Sequence, residues 1–178
     1  MTTFSQHLAE RGYTPNLRAW VDYESETVTF PLYHPGCLAG YQSYNWKQTK
    51  KRYNGGKYFT WISEAYKPLA FYLIYPNCRD SHSKQKLLVC EGIWDAVRCA
   101  NAGYNTAAIL TATPAPQFKW WFKHLYLGWE TVAVLDNDEN KAGQALAKLT
   151  DRAIMVEGRK DIGEYTQEEA NEWLAKML

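Results

Sequence analysis

The chain has 178 residues, which is enough to bury one good core with room for a small second unit, and this length argues against two large domains. Its 20 Lys and Arg and 19 Asp and Glu leave a formal charge of +1, which excludes a strong overall field for nucleic acid. Any surface that binds nucleic acid must therefore be local. Aromatic residues make up 15% of the chain, and we expect most of them in the core.

Three further classes of protein are disfavoured. The four Cys and four His show no spacing typical of a zinc ribbon. No apolar run approaches the roughly 20 residues that a membrane span needs, and the polar start has no signal-peptide pattern. We therefore expect a cytoplasmic protein with no membrane partner.

The sequence pattern of residues 1–80 predicts a small α+β unit. The expected elements are a helix over residues 5–13, a second helix after Pro15, a strand over 27–33, a turn over 34–36 and a returning antiparallel strand over 38–44. Residues 65–75 fit either a helix or a strand. The polar residues that follow predict a linker over 76–86 into the second part.

Basic and aromatic side chains alternate between Trp46 and Trp61, around a glycine pair. Cations neutralise phosphates and rings stack on bases, which is the chemistry of a groove for single-stranded nucleic acid. A solvated hairpin loop explains the same run, and both interpretations stay open. The candidate residues for nucleic acid or nucleotide in this segment are Lys47, Lys50, Lys51, Arg52, Lys57 and Tyr58.

From residue 81 onward the pattern alternates between strand and helix. Strands are expected over 87–90, 106–110, 131–135 and 152–156, and helices over 94–102, 117–127, 141–149 and from about 167, with Thr166 as its N-cap. This alternation predicts an α/β domain over 81–178 with a four-stranded, mostly parallel sheet flanked by helices. Cys90 and Cys99 are expected on buried faces, and Trp120 and Trp121 in the core or at an interface.

Acidic side chains follow two of these buried strands. Glu91 and Gly92 come directly after the strand that ends at Cys90, and Asp136 and Asp138 come after the strand that ends at Leu135. Asp95 falls one helical turn after Glu91, as a further ligand or as a support for the ligands. Ligands gather at the carboxyl ends of parallel strands, and converging carboxylates form a site for a hard cation such as magnesium.

These residues resemble a known family. The strand with Glu91-Gly92, then Asp95-Ala96, Gly103 and the later Asp136-x-Asp138 resembles the Toprim fold of topoisomerases, primases and RecR- or OLD-type proteins. The flanking residues narrow the resemblance to the catalytic core of DnaG-type primases from bacteria and phages. These landmarks are His7 to Tyr13, Val28 to Leu32, Gly40-Tyr41, Lys57-Tyr58, Thr111 to Thr113 and Gly158-Arg159-Lys160-Asp161.

The resemblance implies a Toprim domain over 81–178 behind a primase-like α+β subdomain over 1–80. It implies a nucleotidyltransferase that makes short RNA primers on single-stranded DNA from nucleoside triphosphates during DNA replication. Glu91, Asp136 and Asp138 would be catalytic, and together with Asp95 they would hold Mg²⁺ or Mn²⁺. Lys160 would contact nucleotide, although a polar turn explains Lys160 and Asp161 equally well.

The chain also departs from the family pattern. Where the family usually places an arginine after its second core strand, this chain has Tyr44-Asn45-Trp46. We expect no amino-terminal zinc module and no carboxy-terminal helicase-binding domain, as in a phage or mobile-element protein of the host cytoplasm. Such a protein would need a helicase or a separate template-recognition partner. Two alternatives stay open, a Toprim nuclease that cleaves DNA or RNA and a non-catalytic replication accessory protein that binds nucleic acid.

Overall fold

The structure, a computed structural model, describes residues 2–34, 37–48, 56–66, 72–74, 86–110, 114–125, 129–137 and 141–178. The chain divides into two compact units, Met1–Tyr72 and Leu73–Leu178. The predicted boundary between residues 80 and 81 falls outside the described residues and stays a prediction. Within the described ranges, no helix combines the length and the apolar character that crossing a membrane requires.

The first unit is built on an antiparallel sheet with the order β1-β2-β3-β4. Its elements are α1 (Phe4–Glu10), a 3-10 helix (Pro15–Leu17), β1 (Trp20–Asp22), β2 (Thr27–His34), β3 (Cys37–Asn45), β4 (Tyr58–Ile62) and a 3-10 helix (Glu64–Tyr66). The predicted hairpin is confirmed as β2 paired with β3. α1 begins with a capping box between Thr3 and Gln6 and ends three residues before the predicted Tyr13. The element after Pro15 is a single 3-10 turn.

The core of the first unit follows the two-residue period of its strands. Val28, Phe30 and Leu32 alternate along β2 and are fully or almost fully buried. Phe4 and Leu8 of α1 are also buried, as helix neighbours four residues apart. Tyr72 packs edge-on against Phe30, and its hydroxyl donates a hydrogen bond to the Leu17 carbonyl.

The second unit contains a sheet with the order β5-β7-β6-β8-β9. Its elements are β5 (Tyr72–Ile74), β6 (Lys86–Cys90), α2 (Ile93–Asn101), β7 (Asn105–Ala108), α3 (Gln117–Leu125), β8 (Glu130–Leu135), α4 (Lys141–Ala147), β9 (Arg152–Met155), a 3-10 helix (Ile162–Glu164) and α5 (Gln167–Met177). β7, β6, β8 and β9 pair in parallel, which confirms the predicted four-stranded sheet. β5 adds an edge strand in the stretch whose structure the sequence left open.

The central strand β6 shows why the sheet is parallel. Leu87 to Cys90 are completely buried, because helices cover both faces of a parallel sheet. On α3, Phe118 and Phe122 are buried one turn apart, whereas Trp120 is 58% exposed. Of the two expected places for Trp120, the core is excluded, because the helical period puts it on the opposite face from the two phenylalanines, and the interface stays a prediction.

Gly40 allows β3 and β4 to pair closely. A Cβ atom at this position would lie 2.1 Å from the Trp61 carbonyl oxygen and 2.9 Å from the Ile62 Cα, both of them backbone atoms. We expect Gly40→Ala to lower the free energy of unfolding by about 3 kcal/mol, since the backbone itself must move. Urea unfolding followed by circular dichroism measures the loss.

Gly158→Ala is the matched control. Gly158 has a φ of +74° and open space around it, so alanine there meets backbone strain without a steric clash. That strain is worth about 1 to 2 kcal/mol. An equal loss in the two variants would contradict the close approach of β3 and β4.

Candidate functional site

Two acidic residues emerge at the same edge of the parallel sheet. β6 and β8 are direct neighbours, with Cys90 opposite Val134. Glu91 follows Cys90 by one residue, Asp136 follows Val134 by two, and both side chains are half-buried. The register therefore brings these two predicted catalytic residues to the same end of adjacent strands, while Asp138 lies outside the described residues.

The turn at Glu91 is held by the chain that follows β7. The Ile109 amide donates to the Cys90 carbonyl at 3.1 Å, and the Leu110 amide donates to the Glu91 carbonyl at 3.0 Å. Gly92 is the N-cap of α2, so the helix begins directly after Glu91. The positive end of the helix dipole therefore faces this edge and stabilises negative charge there.

Asp95 connects the start of α2 to a distant loop. Its Oδ1 accepts a hydrogen bond from the Gly163 amide at 3.1 Å. Its Oδ2 lies over Gly92, where a Cβ atom would be only 2.6 Å away. Asp95 thus lies beside Gly92, the residue after Glu91.

The loop with Lys160 and Asp161 runs along the end of β8. The Asn137 amide donates to the Lys160 carbonyl at 2.7 Å, and the Val156 amide donates to the Leu135 carbonyl at 3.0 Å. The Lys160 amide donates to Glu164 Oε2 at 3.1 Å, and its side chain is exposed. The backbone of Lys160 is therefore next to Asn137, the neighbour of Asp136.

The buried Cys90 is close enough to the acidic residues at this edge for their charges to affect its pKa. Its thiol is completely buried, and its sulfur is 4.0 Å from that of Cys99, so the predicted burial of both is confirmed. The hydrogen bond with Cys99 and burial raise the pKa of Cys90 well above its usual range, and the nearby charges of Asp95 and Asp136 raise this pKa further. The carboxylates of two neighbouring elements are thus close to one buried group.

The donor chemistry of this edge suits a hard divalent cation. Glu91 and Asp136 offer carboxylate oxygens, the ligands that Mg²⁺ and Mn²⁺ prefer. In the part of the chain that the structure describes, no three His, Cys, Asp or Glu side chains form a complete metal-binding group. The predicted set also contains Asp138, which lies outside that part.

The first unit carries the predicted nucleic-acid residues. Lys47 pairs with Glu26 at 2.9 Å. Lys57 places its Nζ 5.8 Å from the centre of the Tyr44 ring, and Tyr58 is 44% exposed. Lys50, Lys51 and Arg52 lie outside the described residues.

Tyr44, which stands where the family places an arginine, is buried. It is 1% exposed, and its hydroxyl lies 2.7 Å from His7 Nε2. The His7 ring stacks between Tyr44 and Trp46 at 5.8 and 5.2 Å. Sequence reasoning missed this pair, although the two-residue period of β3 places Tyr44 on the same face as buried Gln42.

Sequence reasoning also missed an exposed aromatic face on the same sheet. Tyr41 is opposite Trp61 in the register, and their rings stack at 5.9 Å. Phe59 lies beside Tyr41 at 6.0 Å, and all three rings are at least 37% exposed. The alternation Phe59-x-Trp61 is the signal that would have predicted this face.

No family model matches the chain, and no curated protein matches it. Solved primase structures do match. A DnaG catalytic core has a TM-score of 0.62, 21% identity and coverage of 97% of this chain and 58% of that one. A DnaG primase catalytic domain bound to single-stranded DNA has a TM-score of 0.60, 20% identity and coverage of 97% and 57%. The primase fragment of the bacteriophage T7 primase-helicase has a TM-score of 0.58, 15% identity and coverage of 84% and 62%.

The chain therefore has the fold of the DnaG primase catalytic core, as the resemblance implied. It spans 57 to 62% of the length of these three structures.

The His7 environment predicts a dependence of stability on pH. Burial lowers the pKa of His7 below its ordinary value of 6.5, Arg11 and Lys57 lower it further, and Glu10 opposes them. The unfolded chain then takes up a proton at a higher pH than the folded chain, so stability falls as the pH drops below about 6.5. We expect the melting temperature of His7→Gln to fall less between pH 7.5 and pH 5 than that of the unsubstituted chain. Equal losses would show that His7 is not responsible.

Proposed function

We propose that this chain is a primase-like, metal-dependent nucleotidyltransferase that makes short RNA primers on single-stranded DNA during replication of phage or mobile-element DNA. The observation that carries the proposal is the pairing of β6 with β8, which brings Glu91 and Asp136 to one edge. The fold supports it, since DnaG catalytic domains match 97% of the chain.

Each acidic residue has a part in the proposal. Glu91, Asp136 and Asp138 would hold Mg²⁺ or Mn²⁺, with Asp95 beside them. The bound ion would neutralise the negative charge that develops on the phosphates during the reaction. Glu91 is also suited to take the proton of the attacking hydroxyl, because it lies at the same edge as the other acids.

Positive groups would hold the triphosphate and the template. The start of α2 favours phosphate near Glu91, and the exposed Lys160 adds a cation beside the end of β8. Lys47, Lys57 and Tyr58, with Lys50, Lys51 and Arg52, would hold the DNA template or the incoming nucleotide by charge and stacking. The DnaG domain solved with single-stranded DNA supports this choice of template. A helicase or a template-recognition protein would be the partner.

A non-catalytic replication accessory protein is the second candidate. The buried Tyr44 favours it, because a tyrosine bonded to His7 does not offer phosphate the cation that an arginine would. Such a protein would bind single-stranded DNA without metal and without synthesis.

The first prediction of the proposal concerns Glu91→Gln. The purified chain is incubated with end-labelled single-stranded DNA, labelled ribonucleotides and Mn²⁺ or Mg²⁺, and the products are resolved on a denaturing gel. We expect short new oligomers from the unsubstituted chain and at least about a hundredfold less product from Glu91→Gln, because the amide replaces a metal-binding carboxylate. A chelator should abolish the product as well. Glu168→Gln, on the exposed face of α5, is the control and should keep full synthesis.

The other outcomes decide among the alternatives. A shortened template would identify a Toprim nuclease that uses the same acids. Unchanged DNA with binding that survives chelation would favour the accessory protein. Product from Glu91→Gln at the unsubstituted level would remove Glu91 from the site.

The second prediction concerns Lys57. Its ammonium is exposed, so Lys57→Ala should remove one phosphate contact and weaken binding of single-stranded DNA severalfold. The slope of log affinity against log salt should fall by about 0.7, the value of one contact with a single strand. Fluorescence anisotropy at several salt concentrations measures both quantities. Lys148→Ala, an exposed lysine beyond α4, is the matched control, and equal slopes in both variants would exclude Lys57 from the interface.

A further inference from the structure

The contacts of Asp95 suit a residue that holds other groups in place. Its Oδ1 accepts the Gly163 amide at 3.1 Å, a bond that joins residues 68 positions apart in the chain. Gly163 is buried, in the short 3-10 helix Ile162–Glu164. A carboxylate that accepts a backbone N–H at a buried position forms one of the stronger hydrogen bonds in proteins.

The second carboxylate oxygen is directed to the start of α2. Gly92 has a φ of −108°, which any residue adopts, so its backbone does not demand glycine. A Cβ atom there would lie 2.6 Å from Oδ2 of Asp95, so a larger residue would displace this carboxylate. Asp95 is in the first turn of α2, where negative charge is stabilised by the helix dipole. Oδ1 is thus hydrogen-bonded to Gly163, and Oδ2 lies beside Gly92.

The hydrogen bond of Asp95 fixes the segment from Lys160 to Gly163, which is also hydrogen-bonded to the chain after β8. Lys160 to Gly163 is joined to α2 by the Asp95–Gly163 bond and to the end of β8 by the 2.7 Å bond from the Asn137 amide to the Lys160 carbonyl. Ile162 anchors the segment in the core at 1% exposure. The segment with Lys160 is therefore linked to the helix that begins after Glu91 and to Asn137, the residue after Asp136.

We propose that Asp95 is a positioning residue, which holds the Lys160–Gly163 segment against the strand ends that carry Glu91 and Asp136, and that it does not bind the metal ion. The role of Lys160 in this arrangement rests on the proposed function, because its cation would meet the triphosphate. The role of Asp95 itself rests on the hydrogen bond between its carboxylate and the Gly163 amide. Of the two roles that the sequence leaves open for Asp95, metal ligand or support for the ligands, this proposal selects the support.

Asparagine and alanine substitutions separate the two roles. The Asp95→Asn variant keeps an oxygen that can accept the Gly163 amide but loses the negative charge that makes a carboxylate a strong ligand for a divalent cation, whereas Asp95→Ala loses both. Two readouts need no catalytic activity. They are the affinity for Mn²⁺ alone, measured by calorimetry, and the hydrogen exchange of the Gly163 amide, measured by NMR.

We expect Asp95→Asn to keep Gly163 protection and to bind Mn²⁺ within about threefold of the unsubstituted chain, a change that a nearby lost charge explains. In Asp95→Ala, the hydrogen of the Gly163 amide should exchange at least about tenfold faster, since its hydrogen bond to a charged acceptor is lost. Glu91→Gln should show the reverse, with protection kept and Mn²⁺ affinity at least about tenfold weaker, since a charged ligand is removed. If synthesis is observed, Asp95→Asn should restore most of what Asp95→Ala loses, with the remaining loss in the KM for nucleotide.

Two results would overturn the proposal. One is a loss of Mn²⁺ affinity in Asp95→Asn as large as that in Glu91→Gln, which would make Asp95 a ligand. The other is unchanged Gly163 protection in Asp95→Ala. If Asp95→Ala does not fold, Asp95→Asn still decides: kept Gly163 protection with Mn²⁺ affinity within about threefold supports positioning, and faster Gly163 exchange or a loss of Mn²⁺ affinity as large as that in Glu91→Gln overturns it. If Glu91→Gln leaves Mn²⁺ binding intact, the proposed metal site fails, while the Gly163 measurement still tests Asp95.

Discussion

The parallel pairing of β6 with β8 is the constraint on which the candidate site depends. Both strands are buried along their lengths, so a charged side chain inside either of them would lose its hydration without compensation. The first positions at which acids are tolerated are the strand ends, where the chain leaves the sheet. Because the strands run in the same direction and their register is fixed, these positions fall together. The concentration of carboxylates at one edge therefore follows from the sheet.

Like charges placed together repel, and the structure contains features that offset this repulsion. The start of α2 directs its positive end toward Glu91, and the Gly163 amide donates to Asp95. The hydrogen bond with Cys99 and burial raise the pKa of Cys90, and the negative charges of Asp95 and Asp136 add to this rise because they disfavour the thiolate. A divalent cation bound at this edge would complete the neutralisation.

The second unit could be predicted from the sequence because its pattern and its physics agree. Buried runs such as 87–90 and 131–135, followed by helices and glycines, specify a parallel α/β sheet with few alternatives. The first unit was harder, since β1 has three residues and β4 is mostly exposed, so neither shows a clear apolar alternation. Tyr44 shows a different difficulty. The resemblance marked its position as a substitution, but its partner His7 lies 37 residues away, and only the fold brings the two together.

The first unit suggests how a chain of nearly neutral charge would bind single-stranded DNA. The buried Tyr44, at the position where the family resemblance would place an arginine, offers no cation to a phosphate, and Lys47 is already paired with Glu26. The exposed Tyr41, Phe59 and Trp61 present aromatic faces on the same sheet, and stacking on bases does not depend on net charge. Proteins that share a fold can carry different surface side chains. At 15 to 21% identity, these side chains decide how a nucleic acid is held more than the fold does. Binding that relies on rings in place of cations would be less sensitive to salt than binding by an arginine-rich surface, because fewer counterions are released.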